Sequence, residues 1–379
     1  MKTLTEIVVE ARRRLEPSAW NYLMGGADSE ATLLRNRQAL DMLTLCPLVL
    51  NDVSSVSTEA EFLGRRVAAP FFLAPIGSLA LLHGDGVLAS AAAAAQFGVP
   101  CFVSIMSRPH FRDVASTVDG DLILQIYARG DGTWLLRQSD MAADAGFKAV
   151  CLTVDTAWYG RRERDLAFGF APVEAVDRPA VADRVGVEGD LCQARFDWRG
   201  LEAFIARSSL PVIVKGVQRG DDARRLRDLG AAAIYLSNHG GRQLDHARAP
   251  IDVLQEVGRD LSGRVDVFVD SGFMRGADIL KAVALGARGV GLGKLQGLSL
   301  ACGGQPSLFR ALNILQTELS HSMALCGATS LQQVTADLVA PALPFAAPRS
   351  IVSISPEAWA SAIGPDTADG GFTDGVTTS

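Results

Sequence analysis

The sequence predicts a single α/β domain, a (β/α)8 TIM barrel with an N-terminal helical extension and a long loop after strand 4. Three observations carry that prediction. A short apolar run followed by a helix-like stretch recurs eight times from Phe71 onward. The runs are continuously apolar and do not alternate, as expected of parallel strands buried on both faces. Eight such units need about 250 residues, so a chain of 379 must carry additional segments at its ends and within the barrel.

In chain order, TLTEIVVEARRRLEPSAWNYLM reads as an amphipathic helical pattern broken at Pro17. The strand-like runs are FFLAPI (71–76), CFVSI (101–105), LILQIY (122–127), AVCLTVD (149–155), PVIVKG (211–216), AIYLSN (233–238), VDVFVD (265–270) and GVGLG (289–293). Helix-like segments such as GVLASAAAAAQFG, TWLLRQSDMAADAG, DDARRLRDLG and RGADILKAVALG lie between them, each ending in a glycine suited to a C-terminal cap. Residues 166–196 form the long loop after strand 4. The barrel domain is assigned to 1–363, and the Gly/Thr/Asp-rich remainder, 364–379, reads as a disordered tail.

Composition narrows the function classes. With 36 Lys+Arg against 42 Asp+Glu the net charge is −6, which offers no basic field to a nucleic acid. No window reaches the ~18 uncharged apolar residues that a membrane-spanning helix needs. Six cysteines without a C-x-x-C pair point to a reducing cytoplasm and to no metal site.

In this type of barrel the site is built at the C-terminal ends of the strands, and these runs stop on polar residues: Ser104 on strand 2, Gln125 and Tyr127 on strand 3, Thr153 and Asp155 on strand 4. Lys215 ends strand 5, Ser237-Asn238-His239 strand 6 and Asp270-Ser271 strand 7. Thr153 or Gln125 alone reads equally well as a satisfied interior group. A whole rim of buried charged and polar residues without function would cost several kcal/mol, of order ~5, in desolvation. The sharpest string is SNHGGRQLD at 237–245, where two glycines let the chain bend between the imidazole of His239 and the guanidinium of Arg242. An imidazole removes a proton and a guanidinium clamps a carboxylate at two points, so a small acid held by Arg242 would present its α-carbon to His239.

SNHGGRQLD, with LTVDTAWYGRRERD, PVIVKGV, LQIY, FFLAPIG and GGADSEATLLRN, resembles the FMN-dependent L-2-hydroxy-acid oxidases and dehydrogenases, the family of glycolate oxidase, lactate oxidase and mandelate dehydrogenase. The likeness runs from about Trp20 to Leu338. It implies FMN as cofactor, a small 2-hydroxy acid as substrate, oxygen or another electron acceptor as partner, and a homotetramer. It also implies His239 as the base, Asp155 as the carboxylate stabilising its imidazolium, and Tyr127 hydrogen-bonding near the substrate hydroxyl or carboxylate. Arg242 and Tyr22 would bind the substrate carboxylate, with Arg162 as a second arginine beside them. The flavin would lie along Pro75, Ile76 and Gly77, with Ser104, Gln125, Thr153 and Ser237 as polar partners and Lys215 at its N1 and C2 oxygen. Asp270, Ser271, Gly272, Arg275, Gly293 and Lys294 would hold the ribityl chain and phosphate.

The chain departs from the family pattern at several of these places. In the G-G-x-R-R-G pattern the first arginine is Met274, and the arginine after the strand 8 glycine is Lys294, so phosphate binding loses one cation and keeps a point charge at the other. A frequent tryptophan over the substrate is Met106, and a frequent alanine beside the flavin is Gly77. An open Gly77, an adaptable Met106 and an aromatic Tyr159 favour a bulky, aryl side chain such as that of mandelate. The resemblance leaves two electron acceptors open: oxygen, making the protein an oxidase, or a quinone or protein partner, making it a dehydrogenase. An FMN-dependent isomerase of isoprenoid diphosphates fits less well, because a diphosphate needs extra basic residues and has no use for the His239, Arg242 and Asp155 set.

Overall fold

The computed structural model describes residues 1–129, 132–168 and 193–342. The tail expected at 364–379, the boundary expected at 363 and most of the loop expected at 166–196 lie outside the described residues. One compact unit spans Met1–Pro341.

The N-terminal extension is helical. Helix α1 (Leu4–Arg14) starts on Thr3, whose hydroxyl accepts from the Glu6 N–H at 3.2 Å, and α2 (Pro17–Met24) starts on Pro17 itself. The break falls there because proline lacks the N–H that a helix interior needs, and lacks nothing at the first helical position. Helix α3 (Ala31–Asp41) follows, then β1 (Leu43–Leu45), which pairs antiparallel with β12 (Val339–Pro341) near the other end of the compact unit. A small hairpin, β2 (Ala60–Phe62) and β3 (Arg65–Val67), leads into the barrel.

The barrel closes through eight parallel strands: β4 (Phe71–Leu73), β5 (Cys101–Ser104), β6 (Leu122–Tyr127), β7 (Ala149–Thr153), β8 (Val212–Val217), β9 (Ala233–Leu236), β10 (Asp266–Val269) and β11 (Gly289–Leu292). All eight expected runs are strands, and closure comes from β11 pairing with β4, Leu292 opposite Leu73. Each run is buried on both faces, because helices cover the outside and side chains fill the inside. The covering helices are α4 (Gly86–Phe97), α5 (Phe111–Thr117), α6 (Gly132–Asp144), a short α7 (Glu163–Ala167), α8 (Trp198–Arg207), α9 (Gly220–Asp228), α10 (Pro250–Leu261), α11 (Gly276–Ala284) and α12 (Lys294–Leu325). Non-helical backbone at Gly303 and Gly304 interrupts α12 just before Pro306.

Aromatic rings fill the barrel interior. Phe72, Phe102, Tyr235 and Phe268 are almost fully buried there with Cys151 and Ile213. Phe62 of the hairpin joins this cluster, its ring stacked on that of Phe268 with centroids 4.5 Å apart. The Leu63 N–H donates to Asp266 Oδ2 at 3.0 Å, so the hairpin is tied to the start of β10, the end of the barrel opposite the polar strand ends. Burying one phenylalanine contributes roughly 2–3 kcal/mol.

Candidate active site

The strand ends deliver their polar residues to one rim. Ser104, Gln125, Thr153, Lys215 and Ser237 are each no more than 3% exposed. The first three form a ladder along β5, β6 and β7: the Ser104 hydroxyl donates to Gln125 Oε1 at 2.6 Å, and Gln125 Nε2 donates to Thr153 Oγ1 at 2.9 Å. Lys215 Nζ donates to Ser237 Oγ at 3.0 Å and stands 3.9 Å from the Asp270 carboxylate. Ser271 donates to Asp270 Oδ1 at 2.8 Å and accepts from the Gly240 N–H at 3.1 Å, which links the ends of β9 and β10. Pro75, Ile76 and Gly77 follow β4, and Gly77 lies against Met106: a Cβ added there would stand 3.1 Å from Met106 Cβ.

His239 and Asp155 meet as the sequence predicts. The imidazole Nδ1 lies 3.1 and 3.3 Å from the two Asp155 oxygens, and the carboxylate is 4% exposed. Burial would raise the Asp155 pKa, but the nearby charges of His239 and Lys215 outweigh it and hold the group below its ordinary value. Burial depresses the His239 imidazole, and Asp155 offsets this only in part. The ring is therefore neutral near pH 7, with Nε2 available to receive a proton. His239 itself has a φ of +60°, followed by Gly240 at +69° and Gly241 at +76°, a left-handed run that only glycines and a few polar residues sustain. Gly216 beside Lys215 is also left-handed, at +105°, and absorbs a shift in register between β8 and β9; a Cβ there would strike Asp155.

Arg242 is half-buried against neutral partners: its guanidinium donates to the carbonyls of Tyr22 at 2.5 Å and Gly25 at 3.1 Å and lies over the Tyr22 ring, 4.7 Å from its centroid. Burial first, and the like charge of Arg162 second, bring its pKa down to about 10, which leaves it cationic at neutral pH. Arg162 stands beside it, Nε 3.5 Å from the Arg242 carbonyl, with Asp165 at 3.8 Å. Tyr127 ends β6 within electrostatic reach of Tyr159, Asp155 and Tyr22, and burial keeps its hydroxyl protonated.

The phosphate end needs one correction. Arg275 does not join the site. It occupies the N-cap of α11, and its guanidinium pairs with Glu318 at 2.8 Å and with Thr5 Oγ1 at 3.0 Å, on the outer face of the barrel. Met274 packs against the core. Lys294 remains, at the first turn of α12, and donates to the Met24 carbonyl at 2.5 Å. Burial lowers its pKa to about 7. A Cβ built on the preceding Gly293 meets no atom within 4 Å, so there is open space over a helix start that favours anions. A desolvated lysine at a helix N-terminus beside open space, at the same end of the barrel as a buried lysine and a ladder of amide and hydroxyl groups, fits the phosphate, ribityl and ring ends of FMN.

One outcome follows for cofactor binding. A phosphate dianion restores the Lys294 proton, so FMN binding should take up close to one proton near pH 8, and affinity should fall by up to about tenfold per pH unit above 7. Quenching of FMN fluorescence on titration with apoprotein, from about pH 6.5 to about pH 9, reads this directly. A flat affinity would show that Lys294 stays charged without the cofactor.

Sequence reasoning missed residues that hold the rim together. Asn36 of α3 exchanges amide hydrogen bonds with Asn238, at 3.0 and 2.6 Å, and Arg37 grips Asp278 with both terminal nitrogens, at 2.7 and 2.8 Å. Gln243 Nε2 donates to the carbonyls of Asp155 and Trp158, tying the turn that follows His239 to the Asp155 loop. Asp245 accepts from the Thr32 N–H at 2.8 Å and from Ser29 at 2.6 Å, and these bonds hold its pKa far below the ordinary range. All of these lie inside or beside motifs that the sequence displays, but their partners are more than 200 residues away or on another loop.

Comparison with known proteins gives the same fold and a family. The family model described as FMN-dependent dehydrogenase matches residues 11–341. The chain is 38% identical to 4-hydroxymandelate oxidase of Amycolatopsis orientalis, over 87% of this chain and 95% of that protein. It is 35% identical to glycolate oxidase 3 of Arabidopsis thaliana, over 86% and 92%. The crystal structure of a mandelate oxidase, 36% identical, superposes with a TM-score of 0.83 over 91% of this chain and 100% of the other. No helix among the described residues is long and apolar enough to cross a membrane. A barrel rim that fits a flavin mononucleotide, matched by a family model across nearly all of the compact unit, means that the chain belongs to the FMN-dependent dehydrogenase family, the 2-hydroxy-acid oxidases and dehydrogenases that act on CH–OH groups.

Proposed function

We propose that the enzyme oxidises an L-2-hydroxy acid with a bulky, aryl side chain, of the mandelate kind, to the 2-oxo acid, and that oxygen takes the electrons from its reduced FMN. The observation that carries the reading is the pairing of a neutral His239, backed by Asp155, with a half-buried Arg242 that donates to carbonyl oxygens and lies over an aromatic ring. A desolvated guanidinium of this kind calls for an anion, and the substrate carboxylate supplies it.

Bound FMN supplies a two-electron acceptor. Arg242 would grip the carboxylate and, with Arg162 beside it, fix the α-carbon near His239. The carbinol loses two protons and two electrons on becoming a ketone: His239 Nε2 would receive one proton, and the two electrons and the other proton would go to bound FMN. Asp155 orients the ring through Nδ1 and stabilises the imidazolium that forms. The Tyr127 hydroxyl, held protonated by burial, would donate a hydrogen bond to the substrate. Ser104, Gln125, Thr153 and Lys215 would line the flavin.

Two observations favour an aryl side chain: the absence of a side chain at Gly77 and the unbranched Met106 packed against it. Relatives named as oxidases of 4-hydroxymandelate and glycolate support both the reaction and oxygen as acceptor. Anaerobic mixing of the holoenzyme with (S)-mandelate should bleach the flavin spectrum, and admitted air should restore it with release of peroxide. Bleaching without rapid recovery would assign a quinone or protein acceptor instead; no bleaching by any 2-hydroxy acid would reject the reading. Gly77→Ala adds a methyl 3.1 Å from Met106 Cβ. It should lower the rate with mandelate relative to lactate by roughly tenfold, the scale of one misplaced methyl group in a pocket. An unchanged ratio would place the side chain elsewhere.

A further inference from the structure

We propose that Arg129 and Tyr159 form a specificity-determining pair that receives an acceptor oxygen, a carboxylate above all, at the far end of the substrate's side chain. The proposal rests on the reading of the site as one for 2-hydroxy acids.

Arg129 lies two residues beyond Tyr127, with its guanidinium carbon 5.7 Å from the centroid of the Tyr127 ring. Its Nη2 donates to the Tyr159 hydroxyl oxygen at 3.1 Å, its one hydrogen bond among the described residues. Its Nε is buried and has no hydrogen-bond partner among the described residues. A buried N–H on a charged group is costly to leave unsatisfied, by about 1–3 kcal/mol or more. Among the described residues Arg129 thus has no carbonyl or carboxylate acceptor, unlike Arg242 and Arg162.

Tyr159 adds a second unspent donor. Its oxygen accepts from Arg129 and also from Gln193 Nε2 at 3.2 Å, and Gln193 Oε1 is itself taken by the Thr156 hydroxyl at 2.6 Å. With two donors aimed at the oxygen, the Tyr159 hydroxyl hydrogen is left to bond outward. The Arg129 guanidinium and the Tyr159 O–H therefore stand together as donors beside Tyr127, and nothing in the site needs donors there for the carbinol or the α-carboxylate, which His239, Arg242 and Tyr127 already serve. Two donors, one of them cationic, match an oxygen acceptor, and an anionic one best.

The test uses non-reacting analogues, so that recognition is read apart from turnover. The holoenzyme is titrated with phenylacetate and with 4-carboxyphenylacetate, and binding is followed by the perturbation of the flavin absorbance. The wild-type protein should bind the carboxy analogue about tenfold or more tightly than phenylacetate. In Arg129→Met that ratio should fall to about one, and in Tyr159→Phe it should fall about two- to fivefold. A wild-type protein without the preference, or an Arg129→Met ratio equal to that of the wild type, overturns the proposal. Arg129→Lys guards against a misfolded methionine variant: it keeps the charge without the planar fork of donors, and a ratio left at the wild-type value in this variant also overturns it. A role for Arg129 in stability alone would weaken both analogues together and leave the ratio untouched. Failure of mandelate to bleach the flavin would reject the parent reading separately, since the binding ratio needs no reaction.

Discussion

Replacing His239 by asparagine is expected to stop reduction of the bound flavin by 2-hydroxy acids, with a loss of at least ~10²-fold in the anaerobic reduction rate, while FMN stays bound. Asparagine is the informative substitution because residue 239 sits at φ +60°, a conformation that asparagine tolerates and most side chains do not. The loss can then be assigned to the missing base and not to a displaced Gly240-Gly241 turn. The pH profile gives an independent reading. The proposed base must be unprotonated, and burial holds its pKa below the ordinary 6.5, so kcat/KM for the wild type should be flat near pH 7 and fall only as the pH drops below that value. The asparagine variant should lose this acid limb. Reduction at a near-normal rate in the variant would remove His239 from the chemistry.

Arg242→Lys is expected to raise the dissociation constant for the substrate by about 10- to 100-fold and to slow flavin reduction as well. The guanidinium is already oriented by the Tyr22 and Gly25 carbonyls and by the Tyr22 ring, so its remaining N–H groups are presented without further ordering. An ammonium in its place keeps the charge and loses the two-point grip, a difference on the scale of one charge-assisted hydrogen bond, about 1.5–3 kcal/mol. Stopped-flow reduction across substrate concentrations separates binding from the chemical step. A variant with unaltered constants would move the carboxylate to Arg162.

The barrel was legible because each strand writes its burial on both faces directly into an unbroken apolar run, and the ends of those runs locate the rim. LILQIY at 122–127 is a strand from its first residue to its last. His239 and Asp155 were legible for the same reason: residues 84 apart in sequence meet because both stand at strand ends. Strands that are largely exposed leave no such trace, so the hairpin of β2 and β3 was invisible, and so was the pairing of β1 with β12. The misplacement of Arg275 has a different origin. Spacing puts it in the turn after β10, but the carboxylate of Asp278 accepts its backbone N–H at 3.0 Å and fixes it at a helix start, from which its side chain reaches Glu318. Which way a side chain leaves a turn depends on such local bonds, and periodicity does not record them.

The hairpin that seals the barrel also dictates when the protein can finish folding. Leu63 and its partner Asp266 are 203 residues apart, and Phe62 stacks on Phe268 of the same distant strand. On the ribosome, the hairpin leaves the exit tunnel long before its receptor strand has been synthesised, and Phe62 must wait without its stacking partner through most of translation. Contacts of such long range are made late and leave apolar surface open to other chains in the interval. A nascent chain stalled before residue 266 should therefore be the aggregation-prone species of this protein, and holding chaperones should compete for the segment around Phe62 until the seventh barrel strand arrives to claim it.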